Sequence, residues 1–401
     1  MKLIDRPDYL NMLLSAQGTP DIKVITGVRR SGKSKLLEAF ADAVLRANPR
    51  ANIIRINFNL LEFEPLTEYH ALYRYVTRHH VEGTANIVII DEIQMCDNFE
   101  KAINSLHALE QYDLYITGSN AFLMSSDLAT LFTGRTFQIE VLPFSLSEFA
   151  RYHELSQPDE ALDRYLSEGG MPGSYLYSDE KARFAYTSDV LDMLILRDIK
   201  QKHRIRNTEQ LARTCDFLLD NIGNIVSLRS ITAGLCAAGL KMSEKTLANY
   251  VEYLCSAFLL YRVRRFDIAG KKYLSSGDKY YLVDHSFRYA KLGTKKLDFR
   301  HVYENMVAIE LIRRGFEIYV GALYKKEIDF VAVRRDEKVY IQVSDDISSE
   351  TTFEREISPL LKIRDAYPKT IIARTRHETT DWEGVKVIDI ARWLMGLEDW
   401  L

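Results

Sequence analysis

The first 145 or so residues predict an α/β fold, a parallel sheet with helices on both faces, and three observations carry that prediction. Short β-branched runs alternate with amphipathic helical stretches between Ile22 and Val141. One of the runs, Ile87–Ile90, is continuously apolar, as a strand buried on both sides must be. A segment bracketed by glycines, Gly27 to Gly32, falls where a strand passes into a helix.

Taken in order, the strands are Ile22–Thr26, Asn52–Asn57, Ile87–Ile90, Leu114–Thr117 and Thr136–Val141. After Pro143 the alternation stops, and helical periodicity runs from Ser147 to about Leu260, broken chiefly at Gly169-Gly170-Met171-Pro172-Gly173. Strand-like runs return at Phe258–Val263 and Tyr280–Val283. From Tyr303 the pattern reads helix, strand, strand, helix, strand, ending at Leu401.

A chain of 401 residues exceeds what one hydrophobic core usually serves, so two or three domains are expected. With 47% hydrophobic and 27% charged residues, and only 9 prolines and 19 glycines, most of the chain should fold. A net charge of −3 is too small to steer the whole molecule toward a polyanion, so any nucleic-acid site must be a local patch. Cys96, Cys215, Cys236 and Cys255 lack metal-ligand spacing and suit a reducing compartment. No apolar stretch is long enough to span a bilayer and no signal-like start precedes Leu14. The sequence reads as that of a cytoplasmic protein with no membrane partner.

Gly27-Val28-Arg29-Arg30-Ser31-Gly32-Lys33-Ser34 fits G-x-x-x-x-G-K-[ST] between a strand and a helix, the context its chemistry requires. Glycines let backbone N–H groups wrap phosphate oxygens, and the helix N-terminus adds positive potential. The expected phosphate-binding set is Gly27, Arg30, Ser31, Gly32, Lys33, Ser34 and Lys35, with Lys33 on the β- and γ-phosphates of ATP and Ser34 on Mg2+. The apolar strand ending in Asp91-Glu92 delivers two carboxylates to the same end of the sheet: Asp91 for the magnesium ion, Glu92 to orient the attacking water. The strand ending at Thr117 leads into Gly118-Ser119-Asn120, where Asn120 or Ser119 would sense the γ-phosphate or simply cap a turn. Arg135 has two readings, an arginine presented to a neighbouring subunit's nucleotide and a helix-terminal arginine favoured by the macrodipole.

These motifs, together with Asp91-Glu92-Ile93-Gln94, Gly134-Arg135, Leu142-Pro143-Phe144-Ser145 and Gly169-Gly170-Met171-Pro172, resemble the bacterial and archaeal AAA_14/DUF4143 ATPases over nearly the whole chain. The resemblance implies an AAA+ P-loop core (1–145), a helical lid or linker (146–205), a winged helix (206–290) and a restriction-endonuclease-like α/β domain of the PD-(D/E)xK type (291–401). It does not imply a settled cellular role.

Local patterns accommodate this division. Helices near Glu209–Asn221, Leu228–Ala238 and Ser243–Leu254 precede a strand pair from Phe258 to Val283. The third helix exposes Lys245, Asn249 and Glu252, and Arg262, Arg264, Arg265, Lys271 and Lys272 would cluster in one hairpin able to straddle double-stranded DNA. A basic hairpin that is only a solvated edge is the other reading. In the last segment Glu304, Asp329, Gln342 and Ser344 occupy the order of the nuclease site, but Gln342 replaces the second acid and Ser344 the lysine. Without these groups phosphodiester hydrolysis is not expected, and Glu304 and Asp329 remain either a weak metal site or two surface acids.

The expectation is therefore an ATPase that couples Mg-ATP binding and hydrolysis to conformational change in its C-terminal half, acting on DNA, with assembly into a homo-oligomer if Arg135 serves a neighbour. The competing reading is a slow nucleotide-gated switch that holds a protein partner.

Overall fold

Ile22–Thr26 (β1), Asn52–Asn57 (β2), Asn86–Asp91 (β3), Tyr112–Thr117 (β4) and Thr136–Glu140 (β5) form a five-stranded sheet in the order β2-β3-β4-β1-β5, every neighbouring pair parallel. The computed structural model describes residues 4–118, 132, 134–270, 272–274, 277–293, 299–324, 326–398 and 400. Alternate residues of each strand feed opposite cores. Val88 and Ile90 pack with Ile54, Ile116, Leu72 and Ile103 on one face. Ile87 and Ile89 pack with Ile25, Leu36, Phe40 and Leu13 on the other. Burying each such aliphatic side chain contributes ~1.5–3 kcal/mol, which is why the strands read as unbroken apolar runs. Covering the faces are Pro7–Ser15 (α1), Lys33–Ala47 (α2), Tyr69–Arg78 (α3) and Phe99–Ala108 (α4).

The chain divides after Leu142 into two compact units, the first comprising Met1–Leu142 with Gln201–Arg204, the second the remainder. The second unit begins with Leu146–His153 (α5), Pro158–Glu168 (α6) and Glu180–Met193 (α7). A capping box between Ser145 and Glu148 starts α5. The glycines after α6 are places of close approach. A Cβ on Gly170 would lie 2.4 Å from the Phe144 carbonyl oxygen, and one on Gly173 would lie 1.8 Å from the Tyr186 hydroxyl.

Thr208–Asp220 (α8), Leu228–Ala237 (α9) and Glu244–Ser256 (α10) follow, with Ser243 capping α10 as its sequence position suggests. Leu260–Val263 (β6) then pairs antiparallel with Lys279–Leu282 (β9). The intervening chain does not make the single basic hairpin expected. Arg265–Asp267 (β7) leaves β6 and joins another sheet, pairing in parallel with Glu317–Leu323 (β10), while Lys272–Tyr273 (β8) pairs with β7. The reason is that β10 has an edge to satisfy, and Arg265–Asp267 supplies the backbone groups that complete it.

Ser286–Leu292 (α11) and Phe299–Arg313 (α12) lead into that sheet, which has eight strands in the order β14-β15-β13-β12-β11-β10-β7-β8. Lys326–Arg334 (β11) and Glu337–Ser344 (β12) complete an antiparallel meander with β10. After Glu350–Leu361 (α13) come the parallel strands Lys369–Ala373 (β13) and Val385–Asp389 (β15), with Thr380–Trp382 (β14) at the edge. Ile390–Leu394 (α14) closes the chain. The simpler helix, strand, strand, helix, strand reading missed strands because several apolar runs are short and separated only by turns such as Tyr324 and Arg335 at positive φ.

Candidate functional site

At the C-terminal edge of the five-stranded sheet, β1 runs into the glycine-bracketed loop. Gly27 has φ 128°, and a Cβ there would lie 2.2 Å from the Val141 carbonyl oxygen, so only glycine fits. Arg30 (φ 64°) and Gly32 (φ 101°) are also left-handed, and the loop turns into α2 with no side chain capping the helix. The first-turn N–H groups of α2 are thus available to an anion. The Lys33 ammonium donates to the carbonyl oxygens of Gly27 (2.8 Å) and Val28 (3.1 Å), folded over the loop it serves. The Ser31 hydroxyl is buried and has no hydrogen-bond partner among the described residues, a rare state for a buried polar atom. Ser34 is exposed in the first turn of α2. The side chain of Lys35 points elsewhere, pairing with Glu38 at 2.6 Å on the surface.

One side chain that holds this loop escaped the sequence reading. Arg6, buried just before α1, donates to the Ser31 carbonyl oxygen (3.1 Å) and to the Leu142 carbonyl oxygen (2.9 Å), and its guanidinium stacks over Tyr9. No motif marks it, since the contact joins positions 25 and 136 residues apart.

Thr117, directly opposite Ile25 of β1 in the sheet register, joins the loop strand to the acids of β3. Its hydroxyl donates to the Asp91 carboxylate and accepts from the Glu92 N–H (3.2 Å). Asp91 is buried at the end of β3, and no ammonium or guanidinium pairs with it among the described residues. Glu92 turns the chain with φ 58°, and its carboxylate accepts from the Gln94 amide. A polar residue ending an apolar strand was the available signal for Thr117. The neighbouring positions, Ser119 and Asn120, lie outside the described residues.

Arg135 is exposed and sits at the other end of the sheet. Its strand partner relation is Thr136 opposite Ile22, the first residue of β1, whereas the loop follows the last. Five residues of strand separate the two ends, ~15 Å at the usual rise, so Arg135 is placed away from its own chain's phosphate loop.

The second unit holds a different carboxylate cluster. Glu304 from α12 and Asp329 from β11 are both deeply buried, which corrects the reading of them as surface acids. Lys279 of β9 reaches between them: its ammonium lies 2.6 Å from Glu304, 2.6 Å from Glu327 and 3.8 Å from Asp329. Tyr281 adds a hydroxyl to Glu304 at 2.6 Å. Burial works against the Glu304 carboxylate, but the charge of Lys279, the nearby His301 ring and hydrogen bonds from Lys279 and Tyr281 hold it down to about 2. Burial, then the charge of Glu304, push Asp329 up to about 7 against the pull of Lys279 and Arg300. Lys279 itself is held well above the usual lysine range, its three acids outweighing its burial.

Gln342 and Ser344 fill the remaining positions. The Gln342 amide donates to Glu356 (2.9 Å) and accepts from the Asp329 N–H (3.3 Å), and the Ser344 hydroxyl donates to the Asp346 carbonyl (3.1 Å). No group of three or more His, Cys, Asp and Glu side chains suited to a metal ion occurs among the described residues. Nor is any described helix long and apolar enough to cross a membrane.

The basic residues proposed for DNA are scattered. Lys245 and Asn249 are exposed on α10, and Arg264 and Lys272 are exposed, but Arg262 is bound to Asp278 (2.6 Å) and the Arg265 Nε is buried without a partner within the eight-stranded sheet. Lys271 lies outside the described residues.

Comparison with known proteins agrees with the first unit's geometry. Residues 19–150 match the AAA domain family AAA_14, and residues 159–298 match a domain of unknown function, DUF8612. The family of the second half is thereby corrected from DUF4143 to DUF8612. An uncharacterized protein of Haemophilus influenzae is 35% identical over 98% of this chain and 99% of its own length. The uncharacterized protein MJ1544 of Methanocaldococcus jannaschii is 30% identical over 87% of this chain and 78% of its own. Among solved structures, the Walker-type ATPase PABY2304 of Pyrococcus abyssi is 18% identical, covering 72% of this chain and 95% of that one, at a TM-score of 0.47. With the phosphate loop and the β3 acids inside residues 19–150, the chain carries an AAA domain of the AAA_14 family and belongs to one family with its Haemophilus influenzae relative.

Proposed function

We propose that this protein hydrolyses ATP with magnesium at the Gly27–Ser34 loop and couples turnover to rearrangement of its second unit. The observation that carries the reading is the buried, unpartnered Ser31 hydroxyl in a loop that ends in an uncapped helix, with β4 lying between the loop's strand and the strand of an Asp91 anchored by Thr117. These groups fit a triphosphate and a divalent ion: backbone N–H groups and Lys33 for the phosphates, Ser34 and Asp91 for the metal. Held by Ser34 and Asp91, magnesium would offset the negative charge that develops in transfer. Glu92 orients the attacking water once Gln94 releases its carboxylate. Arg135, remote from its own loop, serves the nucleotide of a second copy, which makes turnover depend on assembly. The tests are direct. Lys33→Ala should abolish ATP retention, whereas Glu92→Gln should retain ATP and lose hydrolysis by ~10²-fold or more. Equal hydrolysis by wild type and Glu92→Gln overturns the assignment.

The second unit is read as a winged-helix module joined to a nuclease-like domain that no longer cuts, because Lys279 already fills the space among its carboxylates. Duplex DNA contact would fall to Lys245, Asn249, Arg264 and Lys272. The engagement of Arg262 by Asp278 thins that patch and favours a second reading, a protein partner held by the same half. ATPase rate across protein concentration, with and without duplex DNA and at two salt levels, separates them: salt-sensitive stimulation supports DNA, none at low salt supports the protein partner.

A further inference from the structure

The phosphate loop is braced at both ends by Val141 and Leu142, just past β5. At its start, the Val141 N–H donates to the Thr26 carbonyl oxygen (2.8 Å), and Gly27 lies against the Val141 carbonyl. At its finish the brace is a side chain. Arg6 donates through Nη1 to the Ser31 carbonyl oxygen and through Nη2 to the Leu142 carbonyl oxygen. Tyr9 fixes the guanidinium in turn: its ring centroid stands 4.4 Å from the Arg6 Cζ, and its hydroxyl accepts from the Leu142 N–H (3.2 Å). Both side chains are buried.

Within the loop, the groups flanking the Ser31–Gly32 peptide are committed to backbone bonds. The Ser31 N–H closes a turn on Val28 (3.2 Å), and the Gly32 carbonyl accepts from the Leu36 N–H (3.0 Å). The peptide between them takes its bond from Arg6. A trans peptide points its C=O and N–H in opposite directions, and no described peptide is cis. With the Ser31 carbonyl turned to Arg6, the Gly32 N–H is turned to the opposite face of the loop. Glycine at φ 101° accepts the flipped peptide, at negative φ, as readily as this one, so the loop's own residues do not choose between the two.

We infer that Arg6 makes that choice and is a positioning residue for phosphate binding: it presents the Gly32 N–H to the triphosphate. The inference rests on the reading of the loop as an ATP site. Arg6 acts through the Ser31–Gly32 peptide, not by contact with the nucleotide. A guanidinium suits the task because its planar fork holds two carbonyl oxygens in fixed directions, which the point charge of an ammonium does not.

Titration calorimetry of the full chain with magnesium and either ATP or inorganic tripolyphosphate, beside steady-state hydrolysis, tests the role. Arg6→Ala should weaken both ligands by the same factor, ~10–100-fold, because the misdirected donor is one that meets a phosphate. KM should rise in step, with kcat at saturating ATP within ~3-fold of wild type, since ligand then holds the peptide in place. Arg6→Lys should fall between the two, and it decides the matter if Arg6→Ala does not fold. In ligand-free protein labelled with 15N at glycine, the Gly32 amide should give one resonance in wild type and a displaced or broadened one in the variants. ATP affinity equal to wild type in either variant, or an unmoved Gly32 resonance, overturns the inference. Failure of the wild type itself to bind ATP and tripolyphosphate is a different result, which removes the ATP-site reading and this role with it.

Discussion

Two pairs of acids in this molecule have opposite electrostatic fates. Asp91 and Glu92 are held by neutral groups, a threonine hydroxyl, a backbone N–H and a glutamine amide. Glu304 and Asp329 are held by a lysine from a different supersecondary element. The first pair is oriented but not neutralised, which suits a site that must accept a cation with its substrate. The second is neutralised from within, which suits a joint. A carboxylate cluster therefore cannot be assigned to chemistry until the nearest positive charge is located.

The largest effect expected from this contrast is on stability. Lys279→Met should destabilise the protein by ~3–5 kcal/mol in chemical denaturation, because it strands a buried Glu304. Lys33→Ala, which gives up bonds to the Gly27 and Val28 carbonyl oxygens, should cost no more than ~1–2 kcal/mol. Similar losses in the two variants would erase the distinction.

Next is pH. Asp329 has its folded-state pKa raised to about 7 from an ordinary 3.8, so its proton favours the native state fully below pH 4, and that contribution is lost as pH rises through 7. Asp329→Asn cannot ionise. Relative to wild type its stability should rise between about pH 4 and 7, by roughly 4 kcal/mol, and level off above. Glu304, with its pKa lowered, acts in the opposite sense, losing its contribution as pH falls from 4.5 through about 2. A pH-independent difference between variant and wild type would sink the assignment.

Thr117→Val should leave the fold and ATP binding intact but slow hydrolysis ~10–100-fold, the usual consequence of removing a group that orients a ligand-bearing carboxylate. Smaller still, Gln94→Ala should change hydrolysis by less than tenfold and in the upward direction, if its bond restrains Glu92. Rates measured at saturating ATP decide both.

The first unit was legible in the sequence because its determinants are local: β-branched runs, a glycine-bracketed loop and acids at a strand end all fall within short windows. Strand bounds such as Ile22–Thr26 and Asn52–Asn57 emerge directly from them. The second unit's site was not, because Lys279 on a strand meets Glu304 on a helix 25 residues away, with α11 between them. Likewise, nothing near Arg265 indicates that it will pair with Val320 rather than fold back on β6. Periodicity reports which face is buried, not which distant partner covers it.

The Arg6 guanidinium carries a practical lesson for anyone handling this protein. Because it props the underside of the nucleotide loop from a position just ahead of α1, a deletion that removes Arg6 would unsettle a loop that lies 25 residues further on. Weak nucleotide retention by such a preparation would then report on the lost prop rather than on the residues that face the nucleotide.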